Sequence, residues 1–155
     1  MTVYSDVRTD TTQDDPSEFV KANQLAGVLR VARGVFEASS QSADTIEMFA
    51  LPNGARIVSG RLCYDALGSG TTLAVGHAIY TNSSGSSVAA DTDHFKAAAA
   101  STSVQCVDVA ATLARGAGEE VDLDGADADN EFVVTVTSTG TTTGTIDLTV
   151  FYVVD

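Results

Sequence analysis

The sequence predicts an all-β fold: a two-layer antiparallel β-sandwich, jelly-roll-like, with one short helix and an extended N-terminal arm over residues 1–23. Three observations carry this reading. Val, Thr, Ala and Gly dominate while Trp is absent and Pro occurs only 2 times, and Val and Thr suit a pleated, half-buried surface better than a helix. Apolar and polar residues alternate with a period of two through successive runs. Turn-forming residues interrupt those runs roughly every ten positions, the spacing of short antiparallel strands. The chain has 155 residues, enough for one domain, with the sandwich spanning 24–155. A chain of this size buries about 68–70% of its unfolded surface without metal or disulfide staples. The same spacing also fits an immunoglobulin-like sandwich, and the pattern alone does not choose.

The first twenty-odd residues, MTVYSDVRTDTTQDDPSEFVKAN, have no sustained periodicity and hold acidic and Thr clusters around Pro16. Alone, such a segment buries too little apolar area to offset its ordering entropy. Val3, Tyr4, Phe19 and Val20 are nevertheless out of place in a solvated tail. They are the expected contact residues of an arm that orders against a neighbouring subunit, the alternative being a frayed terminus.

From Leu25 to Ser39 the residues alternate, which predicts a long strand, although Arg30 and Arg33 fall on opposite faces and leave its burial direction open. Thr45–Leu51 is the next strand, stopped by the turn residues Pro52, Asn53 and Gly54. Ala55 to Ala66 follows, with Val58, Leu62 and Tyr64 expected on one face. After a turn at Leu67–Gly70, Thr71 to Tyr80 places Leu73, Val75, His77 and Ile79 on one side. Thr81–Ser87 is a loop by composition. Asp91-Thr92-Asp93-His94-Phe95-Lys96 and four alanines form the expected short helix, with an Asp suited to cap its first turn. Ser103–Val109 reads as a strand, Ala110–Asn130 as mostly loop with a short strand near Val121, and Glu131–Ser138 and Gly144–Val154 as a closing hairpin. The last strand puts Ile146, Leu148, Val150, Tyr152 and Val154 on one face and Phe151 and Val153 on the other, the pattern of a strand with neighbours on both sides.

Charge excludes several partners. The formal net charge is −13, with only 8 Lys plus Arg, so nothing resembles a basic stripe that could neutralise phosphates, and no nucleic-acid partner is expected. The same charge opposes docking on an anionic membrane, no apolar run is long enough to span one, and the N-terminus lacks the basic and apolar regions of a secretory signal. It does favour solubility and repulsion between free copies.

Chemical candidates are few. His77 sits in an apolar alternation and reads as a packed strand histidine; His94, at the start of the expected helix, reads as a surface or capping residue. The serines of Ser69 and Ser83–Ser87 do not satisfy G-x-S-x-G, and no Gly-rich run ends in the Lys-Ser/Thr of a phosphate loop. No catalytic, cofactor or metal residue is expected, and the chain is read as non-enzymatic. The acidic run Glu119, Glu120, Asp122, Asp124, Asp127, Asp129 and Glu131 is the one place where Ca²⁺ has an argument. An alternating acidic loop is usually just solvated, so a solvated, metal-free loop is expected. Cys63 and Cys106 match no zinc or CxxC spacing, lie in strand-like runs, and are expected to be buried free thiols.

Four segments then carry a resemblance: Leu51–Val58 (LPNGARIV), Asp65–Gly76, Asp91–Phe95 (DTDHF) and Gly140–Asp155, in that order and spacing. Over roughly the last two-thirds of its length the chain resembles small tailed-phage virion structural proteins of the head decoration (cement) type. The resemblance implies a protein on the capsid surface, assembled in the host cytoplasm, with the major capsid protein and sister subunits as partners, commonly as a homotrimer. A receptor- or glycan-binding module of a head or tail fibre is the alternative. The lack of Trp and the scarcity of Tyr weigh against it, because sugars stack on exposed aromatics.

Overall fold

The computed structural model describes residues 28–42 and 44–154. The expected arm, with Val3, Tyr4, Phe19 and Val20, lies outside the described residues.

Among the described residues ten strands follow in chain order: β1 (Arg30–Ser42), β2 (Thr45–Leu51), β3 (Ala55–Tyr64), β4 (Thr72–His77), β5 (Tyr80–Thr81), β6 (Ser87–Val88), β7 (Asp91–Ala100), β8 (Gln105–Val109), β9 (Phe132–Thr139) and β10 (Thr141–Val154). β5 and β6 pair only with each other, as a ribbon inside the expected loop. Without that ribbon the chain is one long antiparallel hairpin, in which β1 pairs with β10, β2 with β9, β3 with β8 and β4 with β7. Rolling the hairpin up adds two further pairings, β10 with β3 and β9 with β4. The result is two four-stranded sheets, ordered β1-β10-β3-β8 and β2-β9-β4-β7. This strand order is a jelly roll. The all-β sandwich expected from the alternation is present, and the topology settles which sandwich it is.

The core lies between the sheets, where Leu62, Val75, Val134, Val136, Ile146 and Leu148 are fully buried. β10 runs inside its sheet between β1 and β3, and its alternation sends Ile146, Leu148 and Val150 inward. β1 turns Ala32, Phe36 and Ala38 inward and leaves Val31, Arg33 and Val35 exposed, which resolves its open burial direction.

Four expectations are corrected. In β3 the register passes from Phe151↔Ser59 to Tyr152↔Ile57, so Val58 is the extra residue of a β-bulge. The buried set therefore switches phase, from Ala55 and Ile57 to Leu62 and Tyr64, and Val58 is 49% exposed. In the next run the strand ends at His77, and Ile79, expected in the same buried row, is 64% exposed.

The expected helix at Asp91–Ala100 is instead β7. Helix propensity amounts to a few tenths of a kcal/mol per residue, and here pairing with β4 outweighs it: without β7, β4 would leave one edge of its backbone unpaired. Among the described residues the helical content is one 3₁₀ turn, Leu113–Arg115. Finally, Cys63 and Cys106 form a disulfide. They face each other directly across β3 and β8 with Cα atoms 4.0 Å apart, and both point away from the core, because Leu62 and Tyr64 take the inward phase.

Candidate functional site

At one corner of the sandwich, three chain segments bring titratable side chains together. β4 ends on His77, which is buried at 4% exposure. β7 begins opposite it, with Asp91 paired to His77, but the next regular pair is Val75↔Lys96. Two steps along β4 therefore face five along β7, and the surplus residues bulge out. The bulge lets adjacent residues serve different ends, with Phe95 entering the core and His94 turning toward Asp91. Gly76 permits this course, since a Cβ there would overlap the Asp91 carbonyl oxygen.

The third segment supplies Glu119. It is held beside β3 by backbone hydrogen bonds, Ile57 N–H donating to Glu119 O at 3.0 Å and Val121 N–H to Ala55 O at 2.7 Å. His94 Nδ1 lies 3.3 Å from Asp91 Oδ2, and His94 Nε2 lies 2.5 Å from Glu119 Oε2. His77 Nδ1 donates to the Ala78 carbonyl at 2.9 Å, a carbonyl oxygen being able only to accept. Among the described residues, His77, Asp91 and His94 are the one group whose ligand-type atoms all lie within 4.8 Å of one another.

Aromatic rings wall the corner. His77 packs against Tyr80 at 5.4 Å, His94 at 5.1 Å and Phe132 at 5.3 Å, and His94 meets Phe95 edge-on at 4.9 Å. Burial disfavours the charged form of His94, yet its hydrogen bonds and charge interactions with Glu119 and Asp91 outweigh that and raise its pKa above the ordinary imidazole value. Burial likewise opposes ionisation of Asp91, but hydrogen bonds from the Asp93 N–H and from His94 lower its pKa on balance. Burial raises the Tyr80 pKa, with the charges of Glu119 and Asp122 adding to it. The corner can hold a proton or a cation between imidazole and carboxylate.

The second feature is the outer face of the β1-β10-β3-β8 sheet. Register sets Arg33 beside Thr149 and Arg61, and Val35 beside Asp147 and the Cys63–Cys106 pair. Arg33 donates to Asp147 through Nε at 3.0 Å. Val31, Val35, Val58 and Val104 are exposed apolar residues, and the last edges a shallow depression formed with Cys63, Cys106, Thr145 and Asp147.

The acidic run does not gather round one point. Glu119 serves His94, Glu120 pairs with Arg56, and Asp124 and Asp127 each accept a backbone N–H two residues on, at 2.9 and 3.0 Å. Between them Val121 and Leu123 are buried. His77 is the packed strand histidine expected, whereas His94 stands on a bulged strand instead of a helix cap. Its convergence with His77 has no sequence signal, because it depends on an irregular pairing.

No protein-family model matches the sequence, and no curated protein matches it. Solved structures do. A chain from the capsid of Ralstonia phage GP4 superposes with a TM-score of 0.59 at 22% identity, covering 90% of this chain and 93% of that one. A chain from the cyanophage Pam1 capsid gives 0.58 at 15% identity, covering 84% and 88%. A chain from the capsid of Helicobacter pylori bacteriophage KHP30 gives 0.52 at 17% identity, covering 82% and 88%.

Proposed function

We propose that this chain is a non-catalytic virion structural protein that decorates and stabilises the capsid of a tailed virus, bound to the major capsid protein as a homotrimer. The observation that carries this reading is the fold match: three chains from phage capsids share the sandwich over 82–90% of this chain. Three physical features support it. The charge of −13 keeps unattached trimers soluble and apart from one another. A cross-strand disulfide on an outer face suits a protein that works outside a reducing cytosol. β1 is an edge strand that follows residues 1–27 in the chain, and its exposed Val31 pairs with Phe151. An arm of some twenty residues reaches about 60–70 Å when extended, far enough to cross a subunit boundary. Many weak contacts of this kind add up on a repeating lattice.

The test uses particles assembled without this protein. The purified chain should bind them saturably, sediment as a trimer and raise the temperature at which they release their genome. Removing residues 1–23 should leave a folded domain that binds far more weakly. Failure of the full-length chain to bind such particles at micromolar concentration would overturn the reading.

A further inference from the structure

We propose that His77, Asp91 and His94 form a binding site for one divalent transition ion of the Zn²⁺ class, with Glu119 as the residue that orients His94. The donor set is two imidazoles and one carboxylate, which suits Zn²⁺ and its neighbours and leaves a position open, whereas Ca²⁺ takes six to eight oxygens. Two ligands each about 2.0–2.1 Å from a tetrahedral ion stand about 3.3–3.4 Å apart. His94 Nδ1 and Asp91 Oδ2 are 3.3 Å apart.

The partners of the other ring nitrogens point to an ion more strongly still. A metal-bound histidine gives its remaining N–H to a carbonyl or carboxylate, which fixes the tautomer and aims the bare nitrogen. Both histidines are set in this way. His77 gives Nδ1–H to the Ala78 carbonyl, leaving Nε2 bare; His94 gives Nε2–H to Glu119, and the proton that its Nδ1 donates to Asp91 is the one a bound ion replaces. Glu119 is itself anchored through its backbone to β3. The rings of Tyr80, Phe95 and Phe132 provide the apolar surround that strengthens metal–ligand attraction. An ion here ties the end of β4 to the bulge of β7, and through Glu119 to β3. The site is a clamp on the least regular edge of the sandwich.

The test is titration of the full chain, freed of metal by chelator, with Zn²⁺ followed by calorimetry and with Co²⁺ followed by its visible absorption. One equivalent should bind per chain, the Co²⁺ spectrum should show the intense bands of a four-coordinate site, and the melting temperature should rise with free Zn²⁺. His94→Gln should abolish the stoichiometric phase. Glu119→Gln should retain one equivalent but bind about 10–100-fold more weakly, as for other outer-shell partners. His77 is buried and its variants are at risk of misfolding, so the Co²⁺ spectrum of the unaltered chain serves as the independent check. Weak uptake of several ions, unchanged in His94→Gln, or a Co²⁺ spectrum of the hexa-aqua type, would show that the corner is only a histidine–carboxylate ion pair and would overturn the proposal.

Discussion

β10 and β7 are both strands of ten or more residues, 14 and 10 respectively, yet they are held in place by different means. β10 has a neighbour on each side and keeps register with β1 for ten consecutive pairs, from Arg30↔Tyr152 to Ser39↔Thr143. Its own alternation decides which side chains are buried. β7 has one neighbour, two register shifts and one buried residue, Phe95. Its sequence is helix-like, and its conformation is imposed by β4 beside it and by Phe95 beneath. The regular strand builds the scaffold and the irregular one carries the chemistry. A bulge can bring the adjacent His94 and Phe95 both beside His77, whereas an undistorted strand sends neighbouring side chains to opposite faces.

The sharpest way to break this contrast is to remove the anchor. Phe95 is buried against Phe132 and His77, and Gly116 lies so close that a Cβ there would meet the Phe95 ring at 2.6 Å. Phe95→Ala should cost about 4 kcal/mol in urea unfolding and should remove the histidine corner with it. A loss below about 1 kcal/mol would mean that β7 is held by pairing alone.

The regular sheet has its own fastening. Replacing Cys63 and Cys106 together by Ser opens a loop of 43 residues in the unfolded chain and should cost about 3 kcal/mol. Reducing agent should lower the stability of the parent by the same amount and leave the double variant unchanged. If reduction shifted both proteins equally, the loss would have another source.

These two regions also differ in what their sequences disclose. The phase of β10 could be read directly, because Ile146, Leu148 and Val150 must all face one way for the strand to bury anything. The flanking Leu62 and Tyr64 set Cys63 outward, so the expectation of a buried thiol overlooked the phase of its own strand. Its pairing with Cys106 could not be read, because the β3–β8 contact joins positions 43 residues apart and leaves no local signal. Val58 was placed on the wrong face for a local reason: a single bulge residue inverts every side chain beyond it. At the histidine corner, the burial of His77 followed from its apolar neighbours. The approach of His94, Asp91 and Glu119 depends on surplus residues in β7 and on a loop hydrogen-bonded to β3, and neither leaves a periodic trace.

A gentler test addresses β7 alone. Ala99 pairs with Leu73 and is exposed. Ala99→Val adds a β-branched residue, unfavourable in a helix and well suited to a strand. Stability should stay within about 0.5 kcal/mol of the parent, and a stabilising sign would sharpen the point that β7 is a strand despite its alanines. A loss well above 1 kcal/mol, about what misplacing a buried side chain costs, would place Ala99 in a packed environment instead.

The smallest effect belongs to the outer face of the regular sheet, where Arg33 and Asp147 meet across β1 and β10. Hydrogen bonds from Arg33 hold the Asp147 carboxyl below its ordinary pKa; partial burial works against this, and the arginine's charge adds to the lowering. A carboxylate with a depressed folded pKa contributes stability above its unfolded value, near 3.8, and loses it as pH falls through the folded value. Both side chains are partly open to water, at 62% and 27% exposure, so solvent screening keeps the contribution small. The stability difference between the parent and Asp147→Asn should therefore be constant from neutral pH down to about pH 5 and should shrink below pH 4, where protonation removes the charge that the variant already lacks. High salt should shrink it at neutral pH as well. A difference that stayed flat to pH 2, or grew on acidification, would show that Asp147 stabilises this sheet by packing against the disulfide and Val104, and that its charge contributes nothing.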